Sequence, residues 1–289
     1  MAVAVEKPTG GVVRTAVAPT AGRVAQPRPR RLTRRDETLL GLAGLASVLV
    51  LWQVASSTGL LSVNAVPPPL EVAAAFGRLM INPDFWAATG ATLLIALLGV
   101  AIVQVIAILM ALAIDRSRFI RESTWFPIEF LKPIPPVALI PLAILLWGPT
   151  KNVELILVVF AALWPMLTQL VYGLREVSGV ALDVARVYRM SAWQRISRIV
   201  IPSLTPFAMT GLRISVTMAL VVAIVTEYII GIPGLGSMLS TAQVNGLLDR
   251  MYALIVAMGL FGLALNAVLT LIDKPLLFWH PSQRERVAS

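Results

Sequence analysis

Long apolar stretches separated by short polar segments dominate the pattern of this chain. The hydrocarbon core of a bilayer is about 30 Å thick, and about 20 apolar helical residues are needed to cross it. Six stretches meet that requirement, at residues 38–60, 87–114, 124–148, 153–174, 206–230 and 251–273. The pattern therefore predicts an all-α membrane protein with six transmembrane helices.

The composition supports lipid as the solvent for much of the chain. Hydrophobic residues make up 57% of it and charged residues 13%, whereas soluble domains are about 25% charged. The sequence has no cysteine and one histidine, His280, in a polar tail. Metal sites of the zinc type need several Cys or His ligands at defined spacing, so we expect neither a metal nor another cofactor.

Lysine and arginine are distributed unevenly between the two sides of the predicted bundle. If the N-terminus is cytoplasmic, the inner segments hold 20 of the 24 basic residues and the outer segments hold only Arg78, Lys151 and Arg250. Basic residues favour the cytoplasmic side of membrane proteins, so we expect both termini to be cytoplasmic. Because the arginines fall between apolar spans rather than along one soluble face, we expect no nucleic-acid partner.

The chain divides into three parts. Residues 1–37 are rich in Pro, Gly and Arg without a helical period, which predicts a disordered basic cytoplasmic tail. Residues 38–280 form the predicted six-helix transmembrane domain, and residues 281–289 form a short cytoplasmic tail.

Two outer segments have patterns of their own. Residues 70–80 are amphipathic, which predicts a short helix along the outer membrane interface. Residues 231–236 are rich in Gly and Pro, which predicts a break in the helical chain before the last span.

The longest inner connection, residues 178–202, joins the fourth and fifth predicted spans, and we call it the inner loop. Its pattern predicts two short helices, the first from about Ser178 to Tyr188. The second is expected to start with a capping box formed by Ser191 and Gln194. Pro202 is expected to keep this second helix from merging smoothly into the fifth span.

Helices this short are marginal in water, so we expect another protein to pack against the inner loop. The apolar side chains predicted to be exposed there are Val184, Tyr188, Met190 and Trp193.

The inner loop resembles the E-A-A…G…I-x-L-P motif of the permease subunits of binding-protein-dependent ABC importers. Residues 183–185 occupy the E-A-A positions, residues 199–202 occupy the I-x-L-P positions, and Arg189 occupies the position of the turn glycine. In that family the loop docks into a cleft of the ATPase subunit. The resemblance thus assigns ATPase coupling to Asp183, Val184, Ala185, Tyr188, Arg189, Met190, Ser191 and Pro202. Arg186, Arg189, Arg195 and Arg198 fit pairing with the ATPase and plain positive-inside charge equally well.

Three further segments resemble the nitrate/sulfonate/taurine subgroup of this family. Residues 66–72 (VPPPLEV) are similar to its P-S-P-x-x-V segment, residues 131–142 (LKPIPPVALIPL) to R-P-I-P-P-x-A-L-x-P-L, and residues 226–236 to A-E-x-x-x…G-L-G. The resemblance covers residues 38–280. It implies a multi-pass permease of the bacterial inner membrane that imports a small, often anionic solute such as nitrate, a sulfonate or taurine.

The resemblance also implies the partners of the chain. They are ATP-binding cassette ATPase subunits, a second permease copy in a homodimer, an extracytoplasmic substrate-binding protein and membrane lipid. The chain has no G-x-x-x-x-G-K-[ST] loop for nucleotide phosphates and no nucleophile–base constellation, so we do not expect it to be an enzyme.

Charged and proline residues within the predicted spans are candidates for a translocation path. They are Lys132, Pro133, Pro135, Pro136 and Glu227. A charge at the centre of a span costs about 2.5–3.5 kcal/mol, so the two charged residues, Lys132 and Glu227, each need a structural or functional explanation. Lys132 fits either attraction of an anionic solute or an ion pair with Glu129, three residues earlier. Glu227 fits either gating of the outer mouth or capping of the Gly-rich turn.

Two other classes of protein stay open at this point. An ion-gradient-driven secondary transporter would need titratable carboxyl groups within the membrane, and we identify Glu129 and Glu227 as the only intramembrane glutamates. A non-transporting membrane scaffold would need no solvated cavity beside residues 133–136.

Overall fold

The structure is a computed structural model that describes residues 34–58 and 66–276, and every regular element in those ranges is helical. Contacts divide the chain into residues 1–48 and residues 49–289, and the core lies within the second unit. The helices are α1 (Arg34–Ser57), α2 (Pro69–Met80), α3 (Pro83–Arg116), α4 (Arg118–Leu131), α5 (Ile140–Trp147), α6 (Lys151–Arg175), α7 (Gly179–Val187), α8 (Ala192–Arg195), α9 (Ile201–Ile230), α10 (Leu235–Val244) and α11 (Leu248–Leu276).

Five of the six predicted spans correspond to helices in the described residues that are long and apolar enough to cross a membrane. These are α1, α3, α6, α9 and α11. The all-α membrane fold is therefore confirmed. The predicted tail at 281–289 and residues 1–33 of the predicted disordered tail lie outside the described residues. The last four residues of the predicted disordered tail, 34–37, belong to α1.

The predicted third span, 124–148, is not one helix. Helix α4 ends at Leu131, and a short 3-10 helix, Pro136–Leu139, leads into α5. The two parts meet at an angle of 84°. Proline lacks the N–H group of a helical hydrogen bond and pushes the residue before it out of the helical region. Three prolines within residues 133–136 therefore turn the span into a broken pair.

Pro202 was expected to keep the second short helix from merging smoothly into the fifth span, and the junction between them is irregular but not broken. The helical backbone runs without interruption over the 39 residues Ala192–Ile230. Its irregularity is a π-helical segment, Ile196–Val200, in which the N–H of Ile201 donates to the carbonyl of Ile196. The wider π turn just before Pro202 accommodates a residue that cannot donate to the carbonyl four positions back.

Helices α3, α6 and α9 form the main core. Small residues allow these helices to approach closely, as is usual where helices pack in membranes. A Cβ at Gly99 of α3 would lie 2.5 Å from Cγ1 of Val158 on α6, and one at Gly211 of α9 would lie 2.9 Å from Sδ of Met166 on α6. The core therefore fixes the relative positions of α6 and α9, the two helices that flank the inner loop.

A second apolar cluster joins α2, α10 and α11. The predicted amphipathic helix is confirmed as α2, and it buries Val72, Ala75 and Leu79. These residues belong to a cluster with Leu235 of α10 and Leu254 of α11. The Gly-rich break is also confirmed, because α9 ends at Gly231 with a left-handed φ of 77°. Helix α10, which follows, was missed by the sequence analysis.

Candidate functional site

The inner loop begins with two short helices whose caps are both formed by side chains. The Oγ of Ser178 accepts a hydrogen bond from the N–H of Ala181 at 3.3 Å at the start of α7. The Oγ of Ser191 accepts from the N–H of Gln194 at 3.3 Å, and Oε1 of Gln194 accepts from the N–H of Ser191 at 2.9 Å. The predicted helices and the predicted capping box are thus confirmed.

The turn between the two helices is left-handed at Arg189. Its φ is 50°, and no other non-glycine residue in the described ranges has a positive φ. The N–H of Met190 donates to the carbonyl of Ala185 at 2.9 Å, and the N–H of Arg189 donates to that of Arg186 at 3.0 Å. This pair of hydrogen bonds is the Schellman motif, which usually has glycine at the position of Arg189.

Arg189→Gly is expected to stabilise the inner loop, because a non-glycine residue in the left-handed region costs about 1–2 kcal/mol. Glycine loses more backbone entropy on folding, which offsets part of this gain. The remaining stabilisation should slow the exchange of the α7 amides with solvent about fivefold. Hydrogen–deuterium exchange of the purified chain measures this. The control, Arg186→Gly within α7, should speed exchange because glycine disfavours a helix interior. Equal exchange in Arg189→Gly and the wild type would contradict the strain at this turn.

The inner loop presents apolar side chains to its surroundings. Val184, Val187, Tyr188 and Trp193 are 48%, 81%, 76% and 72% exposed. Ala185 is buried, and Met190, which was predicted to be exposed, is half-buried because it follows the turn back toward α7. The carboxylate of Asp183 accepts a hydrogen bond from Arg186 at 2.7 Å, and both side chains are exposed.

Lys132 lies at the bend between α4 and α5. Its Nζ is 2.8 Å from Oε1 of Glu129, so the internal ion pair that the sequence allowed is formed. Both residues line a cavity between α4 and α6, and Glu227 is not part of its lining. Of the three candidate prolines beside Lys132, Pro133 and Pro135 are exposed, whereas Pro136 is half-buried.

Glu227 lies in a buried hydrogen-bond network that joins three helices. Its carboxyl group accepts from the hydroxyl of Thr92 at 2.7 Å and from the N–H of Gly236 at 2.9 Å. The Thr92 hydroxyl in turn accepts from the N–H of Leu235 at 2.9 Å. We call these four residues the Glu227 network. It binds N–H groups that would otherwise be unpaired at the start of α10, so the geometry matches the capping alternative.

The identification of Glu129 and Glu227 as the only intramembrane glutamates is wrong. Glu154 of α6 is 1% exposed and belongs to Lys151–Arg175, a helix long and apolar enough to cross a membrane. Glu154 was not predicted because it comes in the first turn of α6, where a carboxylate is favoured by the helix dipole.

The chain is similar to known transport permease proteins. The chain is 24% identical to the putative aliphatic sulfonates transport permease protein of Bacillus subtilis, over 86% of this chain and 90% of the relative. It is 26% identical to the bicarbonate transport system permease protein of Synechococcus elongatus, over 84% and 90%. It is 24% identical to the nitrate import permease protein of Synechocystis, over 79% and 86%.

A family profile covers more than half of the chain. Residues 104–276 match the binding-protein-dependent transport system inner membrane component, and this range includes the inner loop. The family predicted from the loop motif is therefore confirmed. The chain belongs to the family of binding-protein-dependent transport system inner membrane components and is a multi-pass membrane protein.

Proposed function

We propose that the chain is the membrane-spanning permease subunit of an ATP-driven importer for a small oxyanion. The names of its relatives describe transport of aliphatic sulfonates, bicarbonate and nitrate, which are all small solutes with negatively charged oxygen atoms. The observation that carries the proposal is the inner loop. Its capped helices and left-handed turn expose an apolar surface of the kind that another protein covers.

The proposed assembly has two copies of this chain, two ATPase subunits on the inner loops and a substrate-binding protein on the other side of the membrane. Both termini are cytoplasmic in this arrangement, in keeping with the basic residues of the inner segments. The chain has no Walker-type nucleotide loop, so the partner subunits hydrolyse ATP.

Helix α9 gives a physical route from the ATPase to the far side of the membrane. Together with α8 and the π-helical segment it forms a continuous helix of 39 residues, Ala192–Ile230, which is about 60 Å long at 1.5 Å per residue. One end is the inner loop and the other carries Glu227, which binds α10. ATP binding would close the ATPase pair and shift the inner loop, and α9 would pass that shift to α10 and the outer mouth.

The bend between α4 and α5 is the proposed wall of the translocation path, with Lys132, Pro133, Pro135 and Pro136. Irregular backbone at membrane depth is tolerated only against protein or a water-filled cavity. Glu227 is the proposed outer element of the same path, where it would hold α10 in place until α9 moves.

Val184→Arg in the inner loop is expected to abolish copurification with the ATPase subunit. Val184 is 48% exposed and lies on the surface proposed to enter the ATPase cleft, where an unpaired guanidinium would lose its hydration. The measurement is retention of the ATPase on the tagged permease, together with ATP-dependent uptake in proteoliposomes.

The matched control is Val244→Arg, which adds the same side chain at a residue of α10 that is 83% exposed. It should retain the ATPase. Full retention of the ATPase by Val184→Arg would contradict the coupling role. Uptake that continues without ATP but stops with an uncoupler would instead favour an ion-gradient-driven transporter.

A further inference from the structure

A cavity of about 190 Å³ lies between α4, α6 and the C-terminal end of α3. Three cationic side chains line it, from Arg121, Lys132 and Arg175, and one carboxylate, from Glu129. The lining therefore carries two positive charges in excess. Neither the coupling of the inner loop nor the Glu227 network accounts for this charge.

The two arginines are the groups that remain available to a ligand. Lys132 is 2.8 Å from Glu129 and thereby neutralised. Arg121 is held in place because Nη2 donates to the carbonyl of Asp115 at 2.8 Å and Nε to that of Ile114 at 3.3 Å. These contacts are to backbone carbonyls, so they leave its charge unbalanced. Arg175 has no ion pair or hydrogen bond of its side chain within the described residues.

The cavity is cationic at one end, has apolar side chains such as Ile128 and Val171 along its wall, and contains the Glu129–Lys132 ion pair at the bend. Arg175 is the last residue of α6, so its guanidinium marks the end of that span. Leu167 also lines the cavity and, eight residues earlier on the same helix, lies about 12 Å deeper. Trp125 and Tyr172 of the lining are 66% and 53% exposed, and such aromatic side chains favour the headgroup level of a bilayer.

We propose that this cavity binds the phosphate group of an anionic lipid, with Arg121 and Arg175 as its ligands. Arginine recognises phosphate oxygens through several parallel N–H donors. The apolar wall below the arginines suits an acyl chain, which a free inorganic anion lacks. The site is on the side of the membrane that the basic residues assign to the cytoplasm, where anionic headgroups bind basic pockets between helices. The lipid would bridge α4 to α6 beside the bend of the third span.

The test is a titration of the purified full-length chain in detergent with dioleoylphosphatidylglycerol, followed by native mass spectrometry. The Arg121→Gln/Arg175→Gln double variant is expected to bind the first lipid about 30-fold more weakly than the wild type. Arg175→Gln alone should bind about fivefold more weakly. The single variant loses no hydrogen bond or ion pair within the described residues, so its result does not depend on folding effects at Arg121.

The matched control is Arg116→Gln/Arg118→Gln, which removes the same charge near the same end of α3 and α4 without changing the lining of the cavity. Its first-lipid affinity should equal that of the wild type. If this control lost as much first-lipid affinity as the Arg121/Arg175 double variant, the lipid would be held by general surface attraction and the proposed site would be overturned. Displacement of the lipid by millimolar inorganic phosphate would show a free-anion site and overturn the lipid assignment. Dioleoylphosphatidylcholine that binds as tightly as the anionic lipid would also overturn it.

Discussion

Gly236→Ala is expected to be among the most destabilising single substitutions in the described part of the chain. A Cβ at this position would clash with the carbonyl oxygen of Ile224 and lie 2.6 Å from the backbone nitrogen of Tyr228. Both atoms belong to the backbone of α9, which cannot move aside without breaking its own hydrogen bonds. Overpacking of a core costs about 1–3 kcal/mol and occasionally more, and a clash with backbone belongs at the upper end of that range.

The measurement is the midpoint of thermal unfolding of the purified chain in detergent, which should fall by about 10 °C. The matched control is Gly90→Ala in α3, where an added Cβ meets no atom within 4 Å. Alanine favours a helix over glycine by about 0.5–1 kcal/mol, so this control should be as stable as the wild type or more stable. If both variants unfold at the same temperature, α10 does not pack against α9 as described.

Glu227→Ala is expected to release α10 from α9. The substitution removes the acceptor of hydrogen bonds from Thr92 and from the N–H of Gly236 and leaves both donors buried. An unsatisfied buried donor costs about 1–3 kcal/mol. The N–H of Gly236 loses its acceptor, whereas the Thr92 hydroxyl can still donate to the carbonyl of Ala88 at 3.1 Å, so a loss of about 2 kcal/mol is expected. Glu227→Gln keeps one carbonyl oxygen as an acceptor and should lose much less.

Hydrogen–deuterium exchange at the amides of Leu235 and Gly236 checks this expectation, with faster exchange in Glu227→Ala and near wild-type exchange in Glu227→Gln. Uptake by Glu227→Gln in the reconstituted importer then separates capping from gating. A folded Glu227→Gln variant with no uptake would support a gating role. Wild-type protection of both amides in Glu227→Ala would show that the carboxyl group is not what holds α10.

Features fixed by neighbouring residues were predictable from the sequence. The length and hydropathy of each apolar stretch are sufficient to identify a span. The capping box at Ser191 and Gln194 involves groups three residues apart, so its pattern is visible along the chain. The left-handed turn at Arg189 was indicated only by the motif, since an arginine at that position does not itself suggest a positive φ.

Features that depend on packing were not predictable. The three prolines within residues 133–136 are incompatible with one unbroken helix, but the angle of 84° depends on what α4 and α5 pack against. The hydrogen bond between Thr92 and Glu227 joins residues 135 positions apart. Pro202 suggested an irregular junction, but whether the chain would break there or continue through a π turn was not predictable. That turn removes the clash while the helix continues.

The continuous helix from Ala192 to Ile230 imposes a fixed angular phase between its two ends. Each residue of an α-helix advances the side-chain direction by about 100°. One residue inserted or deleted between the inner loop and Glu227 would therefore point the carboxyl group away from Thr92 even if both ends stayed folded. Changes that preserve the phase come only in steps of about one or two turns, such as seven residues. The number of residues between the inner loop and Glu227 can therefore change only in steps that keep this phase, although no contact joins the inner loop to Glu227.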